Sequence, residues 1–149
     1  MKLTIELVPQ TCFYSNVRSE VSRAEWDVIR KATYNKANYR CEICDGRGTK
    51  HPVECHEVWE YDEENQIQKL IRMIALCPSC HEVKHIGLAT IRGRRVETTE
   101  HLMKINSINR EEAERYIVEC SNKWQERSQY DWTLDVEHLK TLKENEWLN

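Results

Sequence analysis

The plainest chemistry in this chain belongs to four cysteines set as two Cys-x-x-Cys pairs, Cys41 with Cys44 and Cys77 with Cys80. Paired thiols at this spacing sit on tight turns, and two such turns can place four thiolates around one tetrahedral Zn²⁺. A thioredoxin-like redox pair is the other use of the motif, but it accompanies a strand-helix-strand pattern that the flanking sequence lacks. Four sulfurs complete a zinc shell, so His56, His81 and His85 have no task there. Imidazole titrates near neutrality and also ligates metals. One histidine activating water and another holding a divalent ion suffice to hydrolyse a phosphodiester, with charge on the phosphate and the leaving oxygen stabilised by the ion. Each histidine alone reads as a surface or packing residue. Their joint placement beside the cysteines is what points to chemistry.

The elements that must position these residues are legible around them. Ser22 with Glu25 forms a capping box ahead of Trp26, Ile29 and Thr33, which predicts a helix over 23–38 that delivers the chain to Cys41, with Trp26 as a core anchor. Asp45-Gly46-Arg47-Gly48 is a turn that lets the backbone wrap around an ion. Residues 53–59 and 66–76 are rich in Val, Ile, Leu and Trp around a polar segment, predicting a β-hairpin with His56 on its first strand. A helix then starts at the second cysteine pair, and His81 and His85, four apart, share one of its faces. Upstream, Leu3, Ile5 and Leu7 alternate with polar residues before Pro9, as in a short edge strand. Downstream, Gly87 fits a helix end, Gly93 a turn, and Thr99 the cap of a short helix over 100–106. Asn109 with Glu112 predicts a further helix whose apolar stripe is Ala113, Tyr116, Ile117, Cys120 and Trp124, and a last helix is expected over 135–146.

Composition places these elements in one ordered domain, 1–149, divided into an N-terminal strand and helix (1–38), a metal-binding core (39–95) and a helical extension (96–149). The chain is 40% hydrophobic and 32% charged, with only 4 Gly and 3 Pro. No apolar run approaches the roughly 20 residues that span a bilayer, and the first residues are too few and too acidic for a signal peptide; a cytoplasmic protein without a membrane partner is expected. Cys-x-x-Cys pairing suits a reducing compartment and leaves Cys12, Cys55 and Cys120 as free, buried thiols. A net charge of −3 argues against coating nucleic acid by bulk basicity. Charge nevertheless segregates: residues 1–95 carry 15 Lys and Arg against 13 Asp and Glu, a net of +2, and residues 96–149 carry 7 against 12, a net of −5. Lys84, Arg92, Arg94 and Arg95 lie in the one basic run without an acid, between 84 and 95, and are expected to contact phosphates.

The stretch from Tyr39 to about Gly87 resembles the zinc-knuckle subset of the HNH nuclease family. The resemblance is carried by Tyr39-Arg40-Cys41-x-x-Cys44, by His56 on a strand, and by Leu76-Cys77-x-x-Cys80-His81-x-x-Lys84-His85. Further stretches, Leu7-Val8-Pro9, Ser15-Asn16-Val17-Arg18-Ser19, His56-Glu57-x-Trp59-x-Tyr61-Asp62 and Trp132-Thr133-Leu134-Asp135, look like those of uncharacterised bacterial HNH proteins. It implies an α+β fold: a ββα-metal, treble-clef-like finger (the His-Me finger) with a structural four-cysteine zinc, flanked by an N-terminal helix and a helical C-terminal extension. The implied activity is metal-dependent endonucleolytic hydrolysis of DNA, with double-stranded DNA lying against the finger at its minor groove. By position, His56 is the general base and His81 a ligand of the catalytic ion.

Two departures from the family pattern leave alternatives open. The residue before the base is usually Asp or His and ligates the ion; here it is Cys55, a soft thiol poorly matched to Mg²⁺. Arg72 stands at the usual position of the middle Asn. Either His85 completes the ion's shell, with Glu57 and Asp62 as further candidates, or Cys55 is a ligand and the ion is Zn²⁺, Ni²⁺ or Mn²⁺. In the third alternative catalysis has been lost, and the chain is a zinc-finger module binding nucleic acid or a protein partner. The acidic helical C-terminal region is the expected surface for such a partner.

Overall fold

A computed structural model describes residues 1–13 and 15–142 of the chain. Its frame is a three-stranded sheet in the order β1-β2-β3, made of β1 (Glu54–Asp62), β2 (Ile67–Leu76) and β3 (Thr133–Asp135). β1 and β2 form the expected antiparallel hairpin. Its turn is held by the Asp62 carboxylate, which accepts from the N–H groups of Glu64 and Asn65, while Gln66 takes a φ of 50°. Two helices precede the hairpin, α1 (Val17–Glu20) and α2 (Arg23–Lys36). Four follow it, α3 (Pro78–Lys84), α4 (Ile86–Ile91), α5 (Arg95–Asn106) and α6 (Arg110–Arg127), and α7 (His138–Leu142) comes after β3. The class is therefore mixed α+β, as expected. Among the described residues no helix is long and apolar enough to cross a membrane.

One extra residue in β2 decides which side chains face which core. Val58 pairs with Arg72 but Trp59 with Leu70, so Ile71 has no partner across the hairpin. Side chains alternate with a period of two, and a single inserted residue exchanges the faces of everything beyond it. Ile74 and Leu76 accordingly pack with Val83 of α3, Ile86 of α4, Leu102 of α5, and Ala113 and Ile117 of α6. Leu70, beyond the bulge, joins Met73 on the opposite face with Val17 of α1, Ile29 of α2 and Leu139 of α7. Leu3, Leu76 and Leu102 are fully enclosed, each contributing about 1.5–3 kcal/mol by burial.

Four expectations are corrected. Residues 3–8 run extended with Leu3 and Ile5 buried as the alternation predicts, but they pair with no strand. Side chains take the strand's place: Asn106 Oδ1 accepts from the N–H groups of Lys2 and Leu3, the Tyr116 hydroxyl accepts from Ile5 N–H, and Trp124 Nε1 donates to Val8 O. Helix α5 starts at Arg95, so Thr99 lies inside it and donates its hydroxyl proton to Arg95 O instead of capping. Gly87 is inside α4, and the break between helices falls at His85, whose φ of −112° and ψ of 44° leave the helical region. The last helix begins at His138 because Thr133–Asp135 pair in parallel with β2; its expected continuation over 143–146 lies outside the described residues. The capping boxes of Ser22 with Glu25 and Asn109 with Glu112, and the turn at Gly93 with φ 74°, are as expected.

Candidate functional site

The two cysteine pairs are shaped by their own backbone. In the first, Cys41 N–H donates to Gly46 O and Asp45 N–H to Cys41 O, both at 2.9 Å, with Asp45 at φ 62°. Gly48 lets this turn nest against the second pair: a Cβ there would meet the His51 carbonyl and lie 2.7 Å from Pro78 Cδ. In the second, Cys77 caps α3, its sulfur 3.5 Å from the Cys80 N–H that it accepts, and Pro78 opens the helix. The four Sγ atoms all lie within 4.8 Å of one another. The Cys44–Cys77 separation is 3.6 Å. That is near the ~3.8 Å edge of a tetrahedron with Zn–S bonds of ~2.3 Å and far from a bonded ~2.05 Å.

Four sulfurs this close cannot all ionise unaided. Hydrogen bonds from Cys77 and Cys80 hold the Cys41 thiol far below the ordinary range, and the same contacts push Cys77 up to about 11 and Cys80 higher still. Four thiolates are compatible around a dication, and the group could hold an ion such as zinc. His101, on α5, brings Nε2 to 3.2 Å from Cys80 Sγ. No local motif announces that contact, which depends on α5 packing against α3.

Next to the cysteines, β1 and α3 bring His56, His81 and His85 together. Ring centroids are 5.2 Å apart for His56–His81 and His56–His85 and 4.9 Å for His81–His85, and the nearest nitrogens fall within 4.8 Å of one another. Glu6, from the N-terminal segment, supports this cluster. Its Oε2 is 2.6 Å from His56 Nε2, and its Oε1 is 2.6 Å from the Lys84 ammonium, which also reaches Thr4 Oγ1 at 2.8 Å. Burial alone would raise the Glu6 pKa, but the hydrogen bonds from His56 and Lys84 outweigh it and hold the carboxyl at about 2. An ionised carboxylate only accepts, so His56 carries its proton on Nε2 and keeps the lone pair on Nδ1. Glu54 Oε2 stands 3.4 Å from His81 Nδ1 in the same supporting role. Burial lowers His56 and pushes His85 down to about 3, leaving both neutral, the form that ligates a metal or takes a proton. The three imidazoles could hold one ion, and such a donor set suits Zn²⁺ or Ni²⁺ better than Mg²⁺.

The histidines line a cleft of about 700 Å³ whose walls come from the N-terminal segment, β1 and α6, with Trp26, Trp59 and Trp124 among its lining residues. Cys55, adjacent to His56 on a pleated strand, belongs to the other face of β1. It packs with the second core and hydrogen-bonds Thr33, and burial raises its thiol to about 11. It lines the same cleft but is not in the group of His56, His81 and His85, so of the two alternatives the geometry favours His85 over Cys55. Glu57 is engaged by Val17 N–H at 3.2 Å, Asp62 by the hairpin turn, and Arg72 is exposed on β2.

The expected phosphate-contacting run is also redistributed. Lys84 is 3% exposed and committed to Glu6, so it does not face a ligand outside. Arg94 pairs with Glu82 and Arg95 with Glu114, each at 2.7 Å, and Arg92 is exposed beyond the end of α4. Arg18, Lys123 and Arg127 are the cations at the cleft. Sequence reading passes over them because they are far apart in the chain. Compared with protein families, with curated proteins and with solved structures, the chain matches none.

Proposed function

We propose that the protein is a metal-dependent endonuclease of the HNH type that hydrolyses DNA phosphodiester bonds. The observation that carries this reading is the convergence of His56, His81 and His85 within 4.8 Å beside a four-cysteine group. The order β1-β2-α3, with one cysteine pair before the hairpin and the other at the β2–α3 junction, supports a ββα-metal finger stabilised by zinc. His56 Nδ1 takes the proton of the attacking water, and Glu6 at Nε2 fixes the ring and stabilises the imidazolium that forms. His81 and His85 hold the divalent ion, and Glu54 orients His81. A bound ion supplies the Lewis acid for the scissile phosphate and the leaving oxygen.

The second reading, a non-catalytic zinc module, draws on the 3% exposure of His56, which suits a packing residue as well as a base. Plasmid nicking by the purified protein with Mg²⁺, Mn²⁺, Ni²⁺ and Zn²⁺ in turn, beside His56→Ala, separates the two. Metal-dependent cutting lost in His56→Ala, with the ion still bound through His81 and His85, supports the nuclease. A folded, zinc-loaded protein that cuts with none of the ions favours the binding module.

A further inference from the structure

His56, His81 and His85 line a cleft of about 700 Å³ bordered by tryptophans and cations. We infer that single-stranded nucleic acid is its ligand, one or two nucleotides at a time, with bases stacking on tryptophan and phosphates met by Arg18, Lys123 and Arg127. This deepens the nuclease reading and rests on it only for the phosphodiester chemistry, because the occupant follows from the shape and lining of the cleft.

Size is the first argument. A volume of about 700 Å³ is in the range of sites for small molecules. His56 is 3% exposed, and the N-terminal segment and α6 stand beside it as walls. A stiff duplex cannot fold its backbone into a cleft of this volume, whereas a flexible single strand can bring one or two nucleotides into it.

The lining is the second. Three of the five tryptophans border this cleft, Trp26, Trp59 and Trp124, each partly accessible; Trp26 and Trp59 also pack against the second core, as Cys55 does, so a base meets only the accessible part of each ring. Stacking on indole is indifferent to base identity and is the usual way proteins grip single strands. Two cleft rings already carry a guanidinium over their faces, Arg18 above Trp26 at 4.8 Å and Arg127 above Tyr61 at 4.4 Å. The trp-arginine arrangement pairs a stacking platform with a phosphate contact.

Charge is the third. Of the three cleft carboxylates, Glu6 is matched by Lys84 and His56, Glu57 accepts from Val17 N–H, and Glu60 is exposed to solvent, which screens its charge. Arg18 has no carboxylate at ion-pair distance among the described residues. Lys123 and Arg127 share Glu63, 46% exposed, and Lys123 also meets Glu126, 67% exposed; both carboxylates are solvated, so a phosphate can replace them at little cost.

The test is fluorescence anisotropy of the full-length, zinc-loaded protein with a labelled DNA oligonucleotide, single-stranded or annealed to its complement, without added divalent ion. An RNA strand of the same sequence forms a second arm. Single strands should bind at least tenfold more tightly than the duplex and quench the indole fluorescence. Arg18→Ala and Lys123→Ala, both at exposed positions where folding is not at stake, should each weaken single-strand binding several-fold and flatten the salt slope by about 0.7. Equal or tighter duplex binding, no binding of any oligonucleotide, or salt slopes unchanged in both variants would overturn the inference. Single-strand binding without cleavage by any ion sinks the nuclease reading alone, and cleavage of a duplex with no single-strand preference sinks this inference alone.

Discussion

The Glu6 carboxylate stands 2.6 Å from His56 Nε2 although fifty positions separate them in the chain. The N-terminal segment thereby fixes the tautomer and orientation of the histidine proposed as base. Glu6→Gln should lower cleavage about 10–100-fold, the usual effect of removing a residue that orients a metal or catalytic histidine. Assayed well below the melting temperature, the loss should fall on kcat and leave KM nearly unchanged. Unaltered kcat would show that His56 needs no such partner.

The same carboxylate neutralises Lys84, which is 3% exposed while Glu6 is 31% exposed. Taking away Glu6 strands an ammonium in the core, whereas taking away Lys84 leaves a carboxylate that water can still reach. Glu6→Gln should therefore cost about 3 kcal/mol, the low end for breaking a buried pair because solvent screens one partner. The Glu6→Gln/Lys84→Met double variant should be more stable than Glu6→Gln alone. Denaturant melts of the three proteins decide this, and a double variant less stable than either single one would refute the argument.

What was legible in the sequence was whatever local chemistry specifies. The hairpin turn, the capping boxes of α2 and α6, the two cysteine turns and the four-residue spacing that brings His81 and His85 together are each set within a dozen residues. Glu6 was not legible, since an acidic residue alternating with Leu and Ile reads as the wet side of a strand. Asn106, Tyr116 and Trp124 tie that segment to α5 and α6, and Glu6 N–H donates to Lys84 O at 3.0 Å, which lays it against α3; all four are tertiary partners. The basic run misled for a related reason: proximity in the chain says nothing of whether Lys84, Arg94 and Arg95 already have carboxylates folded against them. Cys55 illustrates the pleat, since a neighbour of His56 along the strand faces the other core.

Zinc supplied to the four cysteines should be part of the fold itself. The purified protein should carry one tightly held zinc, and Cys41→Ser should unfold or lower the melting temperature by tens of degrees, because the turns around Cys41 and Cys77 contribute to the main core. His101→Ala removes the imidazole 3.2 Å from Cys80 Sγ and should speed zinc loss to a colorimetric chelator about 10–100-fold without abolishing folding. An unchanged melt and zinc content in Cys41→Ser would disprove the four-cysteine assignment. Unchanged release from His101→Ala would restrict His101 to packing.

The buried histidines make stability depend on pH in a defined window. Burial pushes His85 down to about 3 and lowers His56, while in the unfolded chain both titrate near 6.5. Between about 6.5 and 3 the unfolded state therefore binds more protons, and stability rises with pH by up to about 1.4 kcal/mol per pH unit for each proton of difference. The full contribution is present above 6.5 and is lost as pH falls through that window. Glu6, held at about 2 in the fold against an ordinary 4.5, adds a second loss with the same sign that begins only below 4.5. Urea melts at pH 7.5, 6.5 and 5.5 should show wild-type stability falling across the two lower values. In His85→Asn the fall should be shallower. Protonation of zinc thiolates affects both proteins alike, so the difference between the curves isolates His85. Parallel curves would mean that His85 is solvated enough in the fold to titrate near its ordinary value, and that its neutrality at the cleft is not a product of burial.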